Sequence, residues 1–270
     1  MAALRPSLGA FAQRLAAMKS QGSVHLRRHG AVAHLTLDNP ERRNAISGPM
    51  MAQLAEAVSE LEKWETGAAV VVTGAGGTFC AGLDLELARG ELGTQEQGAL
   101  MSTLMTETLY RLRQLPLLSV AAVDGFAVGG GAELTTACDW RVMSSTATIR
   151  FVHAKMGAAP GWGGGARLVN LVGRRQALKL LAHGTALDGA AALELGLCDG
   201  VAEADETAAA AATRLLLEPA LEHAASIQSL RAIKTGVASA SEISEVVRGR
   251  ETEAVGLVWG SDANRGAFRK

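Results

Sequence analysis

The stretch Leu117-Leu118-Ser119-Val120-Ala121-Ala122-Val123-Asp124-Gly125-Phe126-Ala127-Val128-Gly129-Gly130-Gly131-Ala132-Glu133-Leu134 decides the fold. Its first seven residues are apolar apart from Ser119 and do not alternate, as expected of a strand buried on both faces in a parallel sheet. Asp124-Gly125 breaks this run, and after a short apolar segment three glycines lead into Ala132-Glu133-Leu134, where a helix begins. A glycine-rich loop that feeds a helix presents first-turn N–H groups with no intrahelical acceptor, and the helix dipole adds partial positive charge. The loop reads as a seat for something negative.

The same unit recurs on both sides. Residues 68–72 read as a buried strand, followed by Thr73-Gly74-Ala75-Gly76-Gly77-Thr78-Phe79-Cys80-Ala81-Gly82-Leu83-Asp84, a polar stretch and a helix ending before Pro116. Downstream, a strand over 140–143 leads to Ile149-Arg150-Phe151-Val152-His153 and the loop Pro160-Gly161-Trp162-Gly163-Gly164-Gly165. Upstream, 24–28 and 31–37 alternate as an antiparallel hairpin turning near Gly30. A loop over 38–44 follows, and then a helix opened by Pro49, capped by Ser47 or Gly48, with Met50, Leu54, Val58 and Leu61 at helical spacing. From residue 166 onward the chain reads as helices with one strand over 197–201. The expectation is a mixed α/β fold with an N-terminal amphipathic helix or extension over 1–22, a core over 23–200 and a helical region over 201–270.

Composition narrows the function. The 270-residue chain carries 26 basic and 27 acidic side chains, so it lacks the positive surplus a nucleic-acid binder needs. No apolar run approaches the roughly 20 residues that cross a bilayer, and a soluble protein is expected. Cys80, Cys138 and Cys198 are odd in number and far apart, which favours a reducing compartment over disulfides or a zinc site. His25, His29 and His34 lie in the hairpin without carboxylate support and do not make a metal site. The first acidic residue is Asp38, preceded by Arg5, Arg14, Lys19, Arg27 and Arg28, with Leu4, Leu8, Phe11, Leu15 and Met18 at helical spacing. That pattern fits either a helix packed on the domain, which goes with a cytoplasmic protein, or a presequence for the mitochondrial matrix.

The glycine loops do not hold a nucleotide by the familiar routes. None has the Gly-Lys-Ser/Thr of a phosphate-binding loop, and the loose dinucleotide match at Gly161, Gly163 and Ala166 lacks a preceding strand and a following acid. Two loops, around 79–84 and 129–133, could bring one amide each to a single developing oxyanion. Each such donor is worth about 2.7–4 kcal/mol in a transition state.

Taken together, Leu37-Asp38-Asn39-Pro40 through Arg43-Asn44-Ala45, Phe79-Cys80-Ala81-Gly82-Leu83-Asp84, Gly129-Gly130-Gly131-Ala132-Glu133-Leu134 with Cys138-Asp139, and Pro160-Gly161-Trp162-Gly163-Gly164 with Arg167-Leu168 resemble the enoyl-CoA hydratase/isomerase (crotonase) superfamily. Within it, residues 149–153 with Met156-Gly157, Trp162 and Leu257-Val258-Trp259-Gly260 are similar to the ethylmalonyl-CoA decarboxylase branch, although Gly161 stands where serine is expected. The resemblance implies a crotonase-like spiral of ββα units with a helical C-terminal trimerisation region. It also implies acyl-CoA substrates, no cofactor beyond the CoA carried by the substrate, and a homotrimer or dimer of trimers. Carried over by position, the oxyanion donors are the N–H groups of Leu83 and Gly130. Arg43, Ala45, Ala81, Asp84 and Leu85 would line the CoA site, and Trp162 the acyl pocket. Arg43 could equally be a solvated loop charge, and Trp162 could pack beneath its loop.

Hydratases of the superfamily use two glutamates to manage one water. Glu133 occupies the first position and His153 the second, which disfavours hydration and isomerisation and fits a substrate bringing its own carboxylate. A malonyl-type thioester is such a substrate, and losing carbon dioxide puts charge on the thioester oxygen. His153 would hydrogen-bond the carboxylate. Two unit charges about 4 Å apart at an effective dielectric of about 20 repel by roughly 4 kcal/mol, so Glu133 is expected to be protonated beside substrate and could return a proton to C2; the sequence leaves open whether Glu133 or His153 donates it. A catalytically silent acyl-CoA-binding protein is the alternative of another class.

Overall fold

The computed structural model describes residues 5–240 and 243–269. Helix α1 (Arg5–Ala16) precedes a hairpin of β1 (Ser23–His29) and β2 (Val32–Asp38), and α2 (Gly48–Glu62) follows with Ser47 as its N-cap. Next come β3 (Ala69–Gly74), α3 (Leu85–Gly90), α4 (Gln95–Gln114), β4 (Leu118–Val123), β5 (Phe126–Val128) and α5 (Gly130–Thr135). The chain continues through β6 (Trp140–Met143), β7 (Thr148–Arg150), α6 (Gly164–His183), β8 (Ala186–Asp188), α7 (Gly189–Glu194) and β9 (Gly200–Val201). Helices α8 (Ala208–Ala212), α9 (Glu218–His223), α10 (Ile227–Ala240), α11 (Glu245–Val258) and α12 (Asp262–Phe268) complete it.

Six strands form one sheet in the order β1-β2-β3-β4-β6-β9, antiparallel only at the β1–β2 hairpin; β5, β7 and β8 form a second, smaller sheet. The unbroken apolar runs of β3 and β4 have the expected cause. Val70, Val72, Ala121 and Val123 face the larger core with α2 and α4, whereas Ala69, Val71, Leu118, Val120 and Ala122 face a second core closed by α8. Helix α1 belongs to the larger core, with Phe11 and Leu15 buried and Leu8 and Met18 packed against it; Leu4 lies outside the described residues.

Three elements differ from the sequence reading. The strand expected over 197–201 contracts to Gly200–Val201, because Leu197 and Cys198 close the turn after α7 on the carbonyl of Ala192. Strand β8 is only three residues long, too short to show a period, and exists by pairing antiparallel with β7. Helix α3 interrupts the polar stretch before α4 because Asp84 caps it, accepting from the N–H groups of Glu86 and Leu87.

The Asp38–Asn44 turn is held by buried amides. Asn44 Nδ2 donates to the carbonyls of Ala75 (2.8 Å) and Thr78 (2.5 Å), and Asn44 Oδ1 accepts from Asn39 N (2.8 Å). Arg43 and Asn44 both adopt positive φ (52° and 56°), which lets the Arg43 carbonyl accept from Ala81 N at 2.9 Å. Asp139 is structural in the same sense: it binds Ser119 at the start of β4 and the buried ammonium of Lys234 on α10 at 2.8 Å.

Candidate active site

The small sheet brings the two glycine loops together. Cys80 bridges to Ala127 of β5, its N–H donating to Phe126 O and its carbonyl accepting from Val128 N, both at 2.9 Å. Three residues on, Leu83 bridges to Ile46: Ile46 N donates to Gly82 O (2.7 Å) and Asp84 N to Ile46 O (3.0 Å). With those groups turned toward Ile46, the Leu83 N–H points the other way. It has no acceptor among the described residues. Gly130 opens α5, where an N–H has no intrahelical carbonyl. The loops are close enough that a Cβ on Gly82 (φ +96°) would lie 3.2 Å from Gly130 N, and one on Gly131 would overlap the Cys80 carbonyl. Glycine is required at both positions.

Glu133, in the first turn of α5, is buried and saturated. Its Oε1 accepts from His153 Nε2 (2.9 Å) and Gly161 N (3.1 Å), and its Oε2 accepts from Trp162 N (2.8 Å) and Gly164 N (2.9 Å). Burial works to raise this carboxyl, but the facing His153 ring, its hydrogen bond and the Trp162 and Gly164 amides outweigh it and hold the group below its ordinary value. Glu133 is therefore ionised, and the proton in its contact with His153 sits on Nε2. Without substrate, both Glu133 oxygens serve as acceptors. His153 Nδ1 is buried and has no partner among the described residues.

Arg167, near the start of α6, locks the assembly. Its guanidinium donates to Thr136 Oγ1 (3.0 Å), Glu133 O (3.0 Å) and Trp162 O (2.8 Å). Burial lowers it to about 10, partly offset by Glu133 and Glu251, so it remains a cation. Glu251 reaches in from α11 to accept from Ala166 N at 2.6 Å, and burial with Glu133 nearby raises it to about 7.

A cavity of about 510 Å³ runs from these groups to the surface, a size suited to a small-molecule ligand. Glu133, His153, Gly161, Trp162 and Gly130 form its base, and Ala45, Ala81, Leu83, Asp84 and Leu85 continue the wall. Trp162 both lines the cavity and packs beneath its loop: its Nε1–H donates to Met101 Sδ (3.1 Å), and its ring lies 2.6 Å from where a Gly130 Cβ would stand. Gly161 would accept a serine Cβ only if Val255 yielded slightly, the gap being 3.2 Å.

Every residue assigned to the site from the sequence lines this cavity except Arg43, which is exposed and stands outside the lining. Its left-handed backbone turns it away, and Arg42 takes the place at the mouth, paired with Asp84 (3.1 Å) and Glu86 (2.8 Å). The lining residues not assigned to the site from the sequence include Met101, Trp259 and Phe268. Trp259 and Phe268 meet edge to face with centroids 5.6 Å apart, and Arg89 donates to the Phe268 carbonyl. The C-terminal helices thus cover the cavity of their own chain. The only local signal was the Val-Trp-Gly motif at 258–260.

Comparison with known families matches residues 27–258 to the enoyl-CoA hydratase/isomerase family. The chain belongs to that family. Among curated family members, the ethylmalonyl-CoA decarboxylase of Mus musculus is 45% identical over 92% of this chain and 77% of its own, and that of Homo sapiens 43% over 92% and 81%. An enoyl-CoA hydratase structure from Mycobacterium avium subsp. paratuberculosis superposes with a TM-score of 0.81 over 94% of this chain and all of that one, at 21% identity, a likeness of fold. A provisionally named enoyl-CoA hydratase of Thermobifida fusca, solved with acetoacetyl-CoA, is 30% identical with a TM-score of 0.72 over 87% of this chain and 93% of its own. The matched segment contains both glycine loops, Glu133 and His153, and the match confirms the crotonase fold.

Proposed function

We propose that this protein is a carboxy-lyase acting on short branched malonyl-type CoA thioesters, converting ethylmalonyl-CoA to butyryl-CoA and methylmalonyl-CoA to propionyl-CoA. One observation carries the reading: the cavity base holds a single carboxylate, Glu133, already occupied by four donors, and beside it an imidazole with an unpartnered nitrogen. Two free carboxylates, which would manage a water for hydration, are not there among the described residues. The decarboxylases of mouse and human, at 45% and 43% identity, support the same reading.

The chemistry needs little else. The thioester oxygen lies between the N–H groups of Leu83 and Gly130, which favour the enolate over the ground state. His153 takes the substrate carboxylate and holds it out of the thioester plane, so that the breaking C–C bond overlaps the π system. Glu133 keeps the imidazole in place. Charge develops on the thioester oxygen, where the two amides meet it, and no metal or organic cofactor is called for. The CoA moiety leaves through the mouth past Ala45, Ala81, Asp84 and Leu85, with Arg42 and Arg89 there to meet phosphate. Such an activity would clear side products of acyl-CoA carboxylation.

The packing of α1 into the core favours its reading as a fold element over a removable presequence, and with it a cytosolic enzyme. A homotrimer or dimer of trimers is part of the same proposal; Ile233 and Val237, one turn apart on α10 and exposed, are among the apolar surface such an assembly would cover. The test of the activity is incubation with ethylmalonyl-CoA, methylmalonyl-CoA and crotonyl-CoA in separate reactions, with products identified by mass. Loss of carbon dioxide from the two malonyl thioesters is expected; hydration of crotonyl-CoA alone would sink the proposal.

A further inference from the structure

Decarboxylation leaves a planar enolate that must regain a proton at C2. Six titratable side chains line the cavity: Arg42, Asp84, Glu86, Arg89, Glu133 and His153. The first four stand toward the mouth, where Asp84 accepts from Arg42 and from the first turn of α3, and Arg42 also pairs with Glu86. At the base only Glu133 and His153 remain. Glu133 has no oxygen free, and the Trp162 indole N–H, a very weak acid, is directed to Met101.

His153 is left, and its two nitrogens have different duties. Nε2–H is committed to the ionised Glu133, whereas Nδ1 finds no partner within the protein. A buried polar atom without a partner is costly and marks a position completed by something else. Glu133 holds Nε2–H, so a substrate carboxylate, which can only accept, is held on the other side of the ring through an Nδ1–H.

We infer that His153, through Nδ1, returns the proton to C2 on the face that carbon dioxide leaves, so that the reaction proceeds with retention of configuration. This rests on the decarboxylase reading above. The bond between C2 and the carboxylate carbon breaks, its electron pair enters the enolate, and carbon dioxide departs. The Nδ1–H bond then breaks, its proton forms the new C2–H bond, and the enolate collapses to the thioester. The neutral imidazole, still bonded to Glu133 through Nε2–H, takes its next proton from solvent. Retention follows because the group that held the carboxylate stands on the face the carboxylate vacates.

The test is turnover of one enantiomer of ethylmalonyl-CoA in D₂O, over a time short against exchange of the substrate's own C2 hydrogen. The configuration of the deuteriated butyryl-CoA is then determined. One deuterium, in the position the carboxylate held, is expected. Carbon dioxide release with inverted or mixed label would overturn the assignment while leaving the decarboxylase reading intact. No carbon dioxide release would remove that reading, and this inference with it. His153→Gln is expected to slow carbon dioxide release at least about 10-fold and to scatter the label over both configurations; full retention in that variant would assign proton delivery to another group.

Discussion

Replacing Glu133 by glutamine tests whether the carboxylate anchors the site. The native side chain accepts four N–H groups, from His153, Gly161, Trp162 and Gly164, at 2.8–3.1 Å. Glutamine keeps one oxygen and turns an NH₂ toward the other pair, so two acceptances become donor–donor contacts. Each hydrogen bond to a buried charge is worth about 1.5–3 kcal/mol. Relief from burying a charge offsets part of the loss, and Arg167 loses a compensating neighbour, which leaves a net cost of about 3 kcal/mol. For a chain of this size that lowers Tm by about 6–12 °C. Because the Glu133 carboxyl is held below its ordinary value of 4.5, its contribution is present above that pH and is lost as pH falls through the lowered value. The gap between wild type and variant is therefore expected to narrow in acid. The freed His153 ring should cost about 100-fold in kcat through misplacement. Differential scanning calorimetry at neutral and acid pH, with ethylmalonyl-CoA turnover alongside, measures all three. A Tm within about 1 °C of wild type and an unchanged kcat would refute the anchoring role.

Gly130→Ala keeps the N–H but places a methyl 2.6 Å from the Trp162 ring, which must shift; kcat/KM should fall by about 100-fold with the fold retained, as read by steady-state kinetics and circular dichroism. His153→Glu sets a carboxylate against that of the substrate, a repulsion of roughly 4 kcal/mol or about 1,000-fold in rate, and any gain in ethylmalonyl-CoA turnover would contradict the account. Glu251 is raised to about 7 by burial and by Glu133, so its contribution to stability is full below 4.5 and is lost as pH rises through about 7. Glu251→Gln mimics the protonated form and is expected to gain up to about 3 kcal/mol over wild type at pH near 8 and little at pH near 4.5, as measured by thermal melts at both.

The parts legible in the sequence are those with local signatures. The doubly buried β4, the turn into α5 and the glycine loops follow from apolar runs and glycine placement, and the family resemblance those loops carry implied Leu83, Gly130 and Glu133, all of which line the cavity. The form of the site depends on contacts distant in sequence. The donors that saturate Glu133 lie 20 to 31 residues away, so its protonation state could not be read from its own helix. Arg42 rather than Arg43 reaches the mouth because of two left-handed residues fixed by the Asn44 amide. Trp259 and Phe268 arrive through the folding back of α11 and α12, and β8 is too short to carry a period.

The central claim is carbon–carbon cleavage at a site with one occupied carboxylate and one imidazole. It is tested most directly with carboxyl-labelled ethylmalonyl-CoA and unlabelled crotonyl-CoA as competing substrates in one vessel, with labelled carbon dioxide, butyryl-CoA and 3-hydroxybutyryl-CoA all quantified. The predicted result is one labelled carbon dioxide for each butyryl-CoA, with crotonyl-CoA unchanged. Accumulation of 3-hydroxybutyryl-CoA while the label stays on the thioester would contradict it.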